Sequence, residues 1–118
     1  MTRPDARELL EIARQTLLHE LLPALPGELR YQTLMVANAM AIAAREYQAG
    51  HQSSVEEGDR LREWLDDHQL SLESSRRRLA TAIREGHYDA PKRRAGLVEV
   101  LRQTTLAQLA ISNPKALP

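Results

Sequence analysis

The chain has 118 residues, with sixteen Lys or Arg against sixteen Asp or Glu, four His, one Trp, three Tyr and neither Cys nor Phe. A chain of this length can bury about two thirds of its unfolded surface around one core, so a single domain over residues 1–118 is expected. Zero net charge argues against a surface that is one electrostatic footprint for nucleic acid or anionic lipid, and the lack of Cys removes disulfides, thiol chemistry and Cys-type zinc sites.

The opening residues, MTRPDARELLEIARQTLLHE, mix charge and Leu at helical spacing and contain no apolar signal-peptide core. No apolar run long enough for a membrane span follows, so a cytoplasmic protein without membrane association is expected. The first helix is predicted over about Asp5 to Leu22. Thr2 serves as its cap with Asp5 in the reciprocal position, Pro4 suits the first turn, and Ala6, Leu9, Leu10, Ala13, Leu17 and Leu21 share one face. Leu18 and Leu22 fall off that stripe and form a second apolar surface, which suits a homodimer. Pro23 and Pro26, followed by Gly27, then make a rigid corner, since two prolines three apart cannot both continue a helix.

The second helix is predicted from about Glu28 to Gln48. Of the eleven residues Leu34 to Ala44 only Asn38 is polar, so the apolar positions go nearly all the way round and the helix is expected at the centre, surrounded by protein. Ala49-Gly50 supplies a left-handed stop. A third helix is predicted from Ser54, whose hydroxyl forms a Ser-x-x-Glu capping box with Glu57, and buries Val55, Leu61, Trp64 and Leu65. The fourth runs from about Ser71 to Glu85 with Leu72, Leu79, Ala80 and Ile83 in a stripe and Gly86 as its stop. The fifth runs from Pro91 or Lys92 to Ser112, closed by Asn113-Pro114. With no alternating strand-like run, the expected fold is an all-α bundle of about five helices.

Charge is balanced overall but not along the chain. Residues 53–73 carry a balance of minus five, and residues 76–94 a balance of plus five from Arg76, Arg77, Arg78, Arg84, Lys92, Arg93 and Arg94 against Glu85 and Asp89. Two adjacent helices pairing their opposite charges on solvated faces account for this, each exposed pair contributing about 0–1 kcal/mol. A basic patch for phosphate, acidic protein or nucleic acid is the alternative. The lack of interleaved aromatic residues argues against recognition of single strands by stacking.

Arg30, Leu34, Asn38, Ala41 and Arg45 share one side of the second predicted helix. A buried Asn38 amide needs hydrogen-bond partners, and a main-chain carbonyl supplies one structurally. The functional alternative is an anionic small molecule held by Arg30, Asn38 and Arg45. His19, His51, His68 and His87 lie in four separate segments without the spacing of a metal site, so no metal is expected. Nor is there a phosphate-binding glycine loop, a nucleophile elbow or any cofactor motif. No catalytic residue stands out. Trp64, Tyr31, Tyr47 and Tyr88 are expected as core or rim anchors, with some available to an interface.

The stretches Leu21 to Tyr47 and Leu101 to Leu117, together with Arg3 to Arg14, resemble an uncharacterised bacterial family of small all-helical proteins. The matching positions are Pro23, Pro26, Gly27, Arg30, Ala37, Asn38, Ala39, Arg45, Glu46, Asn113 and Pro114. Gln108 stands where the family pattern has a basic residue, and Tyr31 where it has Phe or Tyr. Genes of that family lie beside those for an aminoglycoside-phosphotransferase-like kinase and an acyl-CoA dehydrogenase. The resemblance thus implies a non-enzymatic accessory protein in acyl-CoA metabolism, partnered with the kinase or the dehydrogenase. A binding protein for an anionic metabolite or acyl-CoA is the alternative, and nucleic-acid binding through residues 76–94 the weakest of the three.

Overall fold

The computed structural model describes residues 4–118, and they are predominantly helical, with no strand among them. Four α-helices are formed: α1 (Ala6–Thr16), α2 (Arg30–Leu65), α3 (Leu72–Arg84) and α4 (Pro91–Ser112). The expected all-α class is correct and the expected number of helices is not.

The N-cap of α1 is Asp5, whose carboxylate accepts the Glu8 N–H at 2.8 Å. Such a cap stabilises by about 1 kcal/mol. Thr2, expected to share that role, lies outside the described residues. The α-helix ends at Thr16 and not near Leu22. Residues Leu17–Leu21 widen into a π turn in which the Leu22 N–H reaches the Leu17 carbonyl, and Leu22–Ala24 tightens into a 3-10 turn. Pro23 causes this, because it has no N–H and its ring crowds the carbonyl four residues back. Pro26 then leads into a second 3-10 turn, Gly27–Leu29, closed by the Leu29 N–H on the Pro26 carbonyl at 3.0 Å.

The largest departure is in α2, where the second and third predicted helices are one helix of 36 residues. Gly50 does not adopt the left-handed conformation; the described residues with positive φ are Asp66 and Gly86. A helical glycine costs only about 1 kcal/mol relative to Ala, which does not stop a helix lacking proline through this stretch. Ser54 is accordingly a mid-helix residue and caps nothing. The real stop is Asp66, at φ 53°, after which the Asp67 N–H returns to the Arg62 carbonyl at 3.1 Å.

By its contacts the chain divides into two compact units, one of residues 4–51 with Ile111–Asn113 and one of Gln52–Ala110 with Pro114–Pro118. In the first, Thr33, Ala37, Ala44 and Ile111 are buried, while α1 contributes no buried residue. Two arginines hold this unit across its elements: Arg14 donates from Nε to the Ala37 carbonyl at 3.2 Å, and Arg45 from Nε to the Ile111 carbonyl at 2.6 Å.

The second unit has a conventional apolar core. Leu61, Leu79, Ala82, Tyr88 and Leu97 are buried together, with Trp64, Leu65, Leu72 and Val100 packed against them. Each fully buried leucine stabilises by about 2 kcal/mol. Ser71, expected as the first residue of this helix, is its cap and accepts the Ser74 N–H at 3.1 Å, and Gly86 at φ 80° ends it as the sequence predicts. Gly96 of α4 lies against the Trp64 indole so closely that a methyl group there would overlap it.

Candidate functional site

The first unit holds two features with functional geometry. One is a cleft of about 590 Å³ between α1 and the first part of α2. Its apolar lining includes Leu10, Met40, Ala41 and Ala44, and its charged lining is Arg7, Glu11, Arg14 and Arg45. Arg7 and Glu11 neutralise one another through an ion pair of 3.0 Å across one turn of α1. Arg14 and Arg45 are each steadied by a main-chain carbonyl, and neither takes part in an ion pair among the described residues.

The other feature is the exposed side of α2. Tyr31, Met35, Asn38 and Ile42 recur at four-three-four spacing, which places them on one stripe of the helix. Tyr31 is 73% exposed, Met35 51%, and Leu34 beside them 41%. The expectation that this stretch is enclosed by its own chain therefore fails. A helix that is apolar all round needs neighbours all round, and in this unit α2 has α1, brought back by the proline corner, and the short stretch Ile111–Asn113. Asn38, expected to be a buried amide, is exposed in the middle of this stripe.

Of the three residues proposed from sequence to hold an anion, one lines the cleft and two do not. Arg45 lines the cleft, whereas Arg30 and Asn38 are exposed and outside it. Sequence reasoning missed Arg14 and Arg7. Their signal was weak, since both sit on the polar side of a short amphipathic helix and look like ordinary solvated charges. Leu18 and Leu22, proposed as an interface, are half-buried; the large apolar residues that α1 and its following turn expose are Leu9, Ile12 and Leu21. The structural corner of Pro23, Pro26 and Gly27 and the closing Asn113-Pro114 stand where the sequence puts them, at helix ends.

The basic residues of the second unit are mostly engaged within it. Arg76 makes a two-pronged contact with the buried Glu57, at 2.7 Å from Nε and 2.6 Å from Nη2, and these hydrogen bonds raise the Arg76 pKa further. Arg78 pairs with Asp67 at 2.8 Å and Arg77 with Glu73 at 2.7 Å. Arg93 lies over the Tyr88 ring at 5.1 Å, a cation–π contact, and Arg84 reaches the Thr81 hydroxyl at 3.3 Å. Lys92 and Arg94 are exposed and make no ion pair among the described residues. Arg76, Arg77 and Arg78 thus pair with carboxylates of the acidic segment, while Arg84, Lys92, Arg93 and Arg94 do not among the described residues. Among the described residues no group of three His, Asp or Glu is arranged to hold a metal ion, and no helix is long and apolar enough to cross a membrane.

A sequence profile for a domain of unknown function matches residues 23–116. The chain belongs to the DUF6285 family. The match begins at the proline corner and runs through the charged middle to the end of the last turn, so the family's common part takes in α2, α3 and α4. No curated protein and no solved structure matches the chain.

Proposed function

We propose that this DUF6285 protein is a non-enzymatic interaction module that docks on a partner protein through the exposed apolar side of α2. The observation that carries the reading is Tyr31, exposed to 73% beside Leu34 and Met35 on a stretch of helix without a charged residue from Tyr31 to Ala44. Exposed tyrosine among aliphatic neighbours is the composition of a protein-binding hot spot, where a large rigid side chain enters a pocket of the partner. Asn38 adds a neutral amide in the middle of the stripe, which fixes register at small energetic cost.

The partner that fits the family's resemblance is the phosphotransferase-like kinase, with the acyl-CoA dehydrogenase as the next candidate. The chain would support their chemistry by holding or positioning one of them rather than by turnover of its own. Co-expression with the tagged kinase tests this. The two should elute together in stoichiometric amounts, and Tyr31→Ser or Met35→Ser should weaken the association at least tenfold while leaving the helical circular-dichroism signal unchanged. Absence of co-elution with either enzyme, or variants that bind as well as the parent, would overturn the reading. Self-association through the same stripe would appear in light scattering of the isolated chain as a dimer that Met35→Ser dissociates.

A further inference from the structure

The cleft between α1 and the first part of α2 is separate from the stripe that carries Tyr31 and Met35, and its chemistry differs. Its floor is apolar and its wall carries two arginines without carboxylate partners among the described residues. Other arginines of this chain, namely Arg7, Arg62, Arg76, Arg77 and Arg78, each have an Asp or Glu within 3.0 Å. Arg14 and Arg45 differ from them, and both line one cleft.

Their anchoring matters as much as their charge. In each, the Nε–H is spent on a main-chain carbonyl, Ala37 for Arg14 and Ile111 for Arg45. A guanidinium fixed at Nε has limited freedom left in its long stem, and its two Nη groups remain as a planar fork suited to an oxyanion. The carbonyl used by Arg14 also accepts the helical N–H of Ala41, one turn before Arg45 on α2. Both side chains are half-buried, so their field is screened less than that of a surface charge. Arg7 and Glu11 cancel, which leaves two positive charges above a floor made of Leu10, Met40 and Ala44. The cleft volume lies within the range of small-molecule sites.

We propose that this cleft binds an aliphatic organic anion, its carboxylate or phosphate head held by Arg14 and Arg45 and its hydrocarbon chain lying on Leu10, Met40 and Ala44. Head and chain are both required. A small inorganic anion would leave the floor wet, and a neutral aliphatic molecule would leave the two guanidinium groups without a counter-charge.

The test is titration of the isotope-labelled full-length protein, followed by the backbone amides and the arginine Nε–H signals in nuclear magnetic resonance spectra. The probes are octanoate, octyl phosphate, butanoate, inorganic phosphate and octanol. Octanoate or octyl phosphate should shift the Arg14 and Arg45 Nε–H signals and the Met40 to Ala44 amides saturably. Octanoate should bind at least about tenfold more tightly than butanoate, since each methylene laid on the floor adds affinity. Arg14→Gln should lose at least tenfold in affinity and Arg14→Lys should recover part of it. Inorganic phosphate or octanol binding as well as the amphiphiles would overturn the proposal. So would saturable shifts confined to Tyr31 and Met35, or no saturable shift at millimolar octanoate. The mapping on the parent protein decides the matter even where a variant folds poorly, and it does so whether or not a partner docks on α2.

Discussion

Replacing Gly96 by Ala should destabilise the protein, whereas replacing Gly50 by Ala should stabilise it. Both are helical glycines, so propensity alone predicts a gain of about 1 kcal/mol at each. At Gly96 the added methyl would sit 2.7 Å from Cη2 and 3.0 Å from Cζ3 of the Trp64 indole. That ring has little room to retreat. It packs on Tyr88 with ring centres 5.6 Å apart, and Tyr88 is buried in the core under the Arg93 guanidinium. Overpacking of a filled core costs about 1–3 kcal/mol, so the net effect is a loss of about 1 kcal/mol. At Gly50 the atoms nearest to the methyl would be those of the Glu46 carboxylate, the far end of a flexible and exposed side chain that can swing aside. The propensity gain of about 1 kcal/mol then survives nearly whole. Urea titrations followed by circular dichroism measure both changes, and fluorescence of Trp64, the single tryptophan, reports the Gly96 contact directly. A Gly96→Ala protein as stable as the parent would refute the close-packing argument. A destabilised Gly50→Ala protein would mean that Gly50 ends a helix after all.

Ser75 is fully buried and its hydroxyl has no hydrogen-bond partner, so Ser75→Ala should be neutral or stabilising by up to about 1 kcal/mol; a marked loss in the urea midpoint would show that the hydroxyl is satisfied. The Glu57–Arg76 pair joins an 11%-exposed carboxylate to a 52%-exposed guanidinium, and a double-mutant cycle with Glu57→Gln and Arg76→Met should return a coupling of about 1–2 kcal/mol after allowance for solvent screening. A coupling near zero would contradict the two-pronged geometry. The Asp67 carboxyl is held below the usual aspartate range, first by the Gln69 N–H and then by Arg78. Its stabilisation is therefore complete above about pH 4 and is lost as pH falls through the depressed folded value. Asp67→Asn should flatten the acid limb of the stability curve, and parallel curves for parent and variant would refute the assignment. Asp66→Gly should stabilise by about 1 kcal/mol by relieving a left-handed backbone, and Asp66→Ala should not.

The helical class, the proline corner, the start of α3 near Ser71, the Gly86 stop and the limits of α4 could all be read from sequence. Each depends on a neighbour within a turn or two, as when Pro23 removes an N–H or Gly86 admits a positive φ. The same local rule misled at Gly50, which is permissive but not obliged to turn, while the left-handed stop fell on Asp66. Which residue of a long helical stretch turns is settled by what the rest of the helix packs against, and that is not local. The opposite charges of the two middle segments were legible as a pattern, but the choice of Glu57 for Arg76 and Asp67 for Arg78 required the register of α2 against α3.

For the candidate sites the division is sharper. The sequence by itself determined that α2 is apolar on every side between Leu34 and Ala44, because composition and helical period suffice for that. Only the tertiary structure decided which of those sides is covered and that Asn38 is exposed. It alone put Arg14 from α1 and Arg45 from α2 into the lining of one cleft. Burial and convergence are properties of pairs of elements, and the turn that sets one element against another depends on geometry accumulated over the whole Pro23 to Leu29 corner.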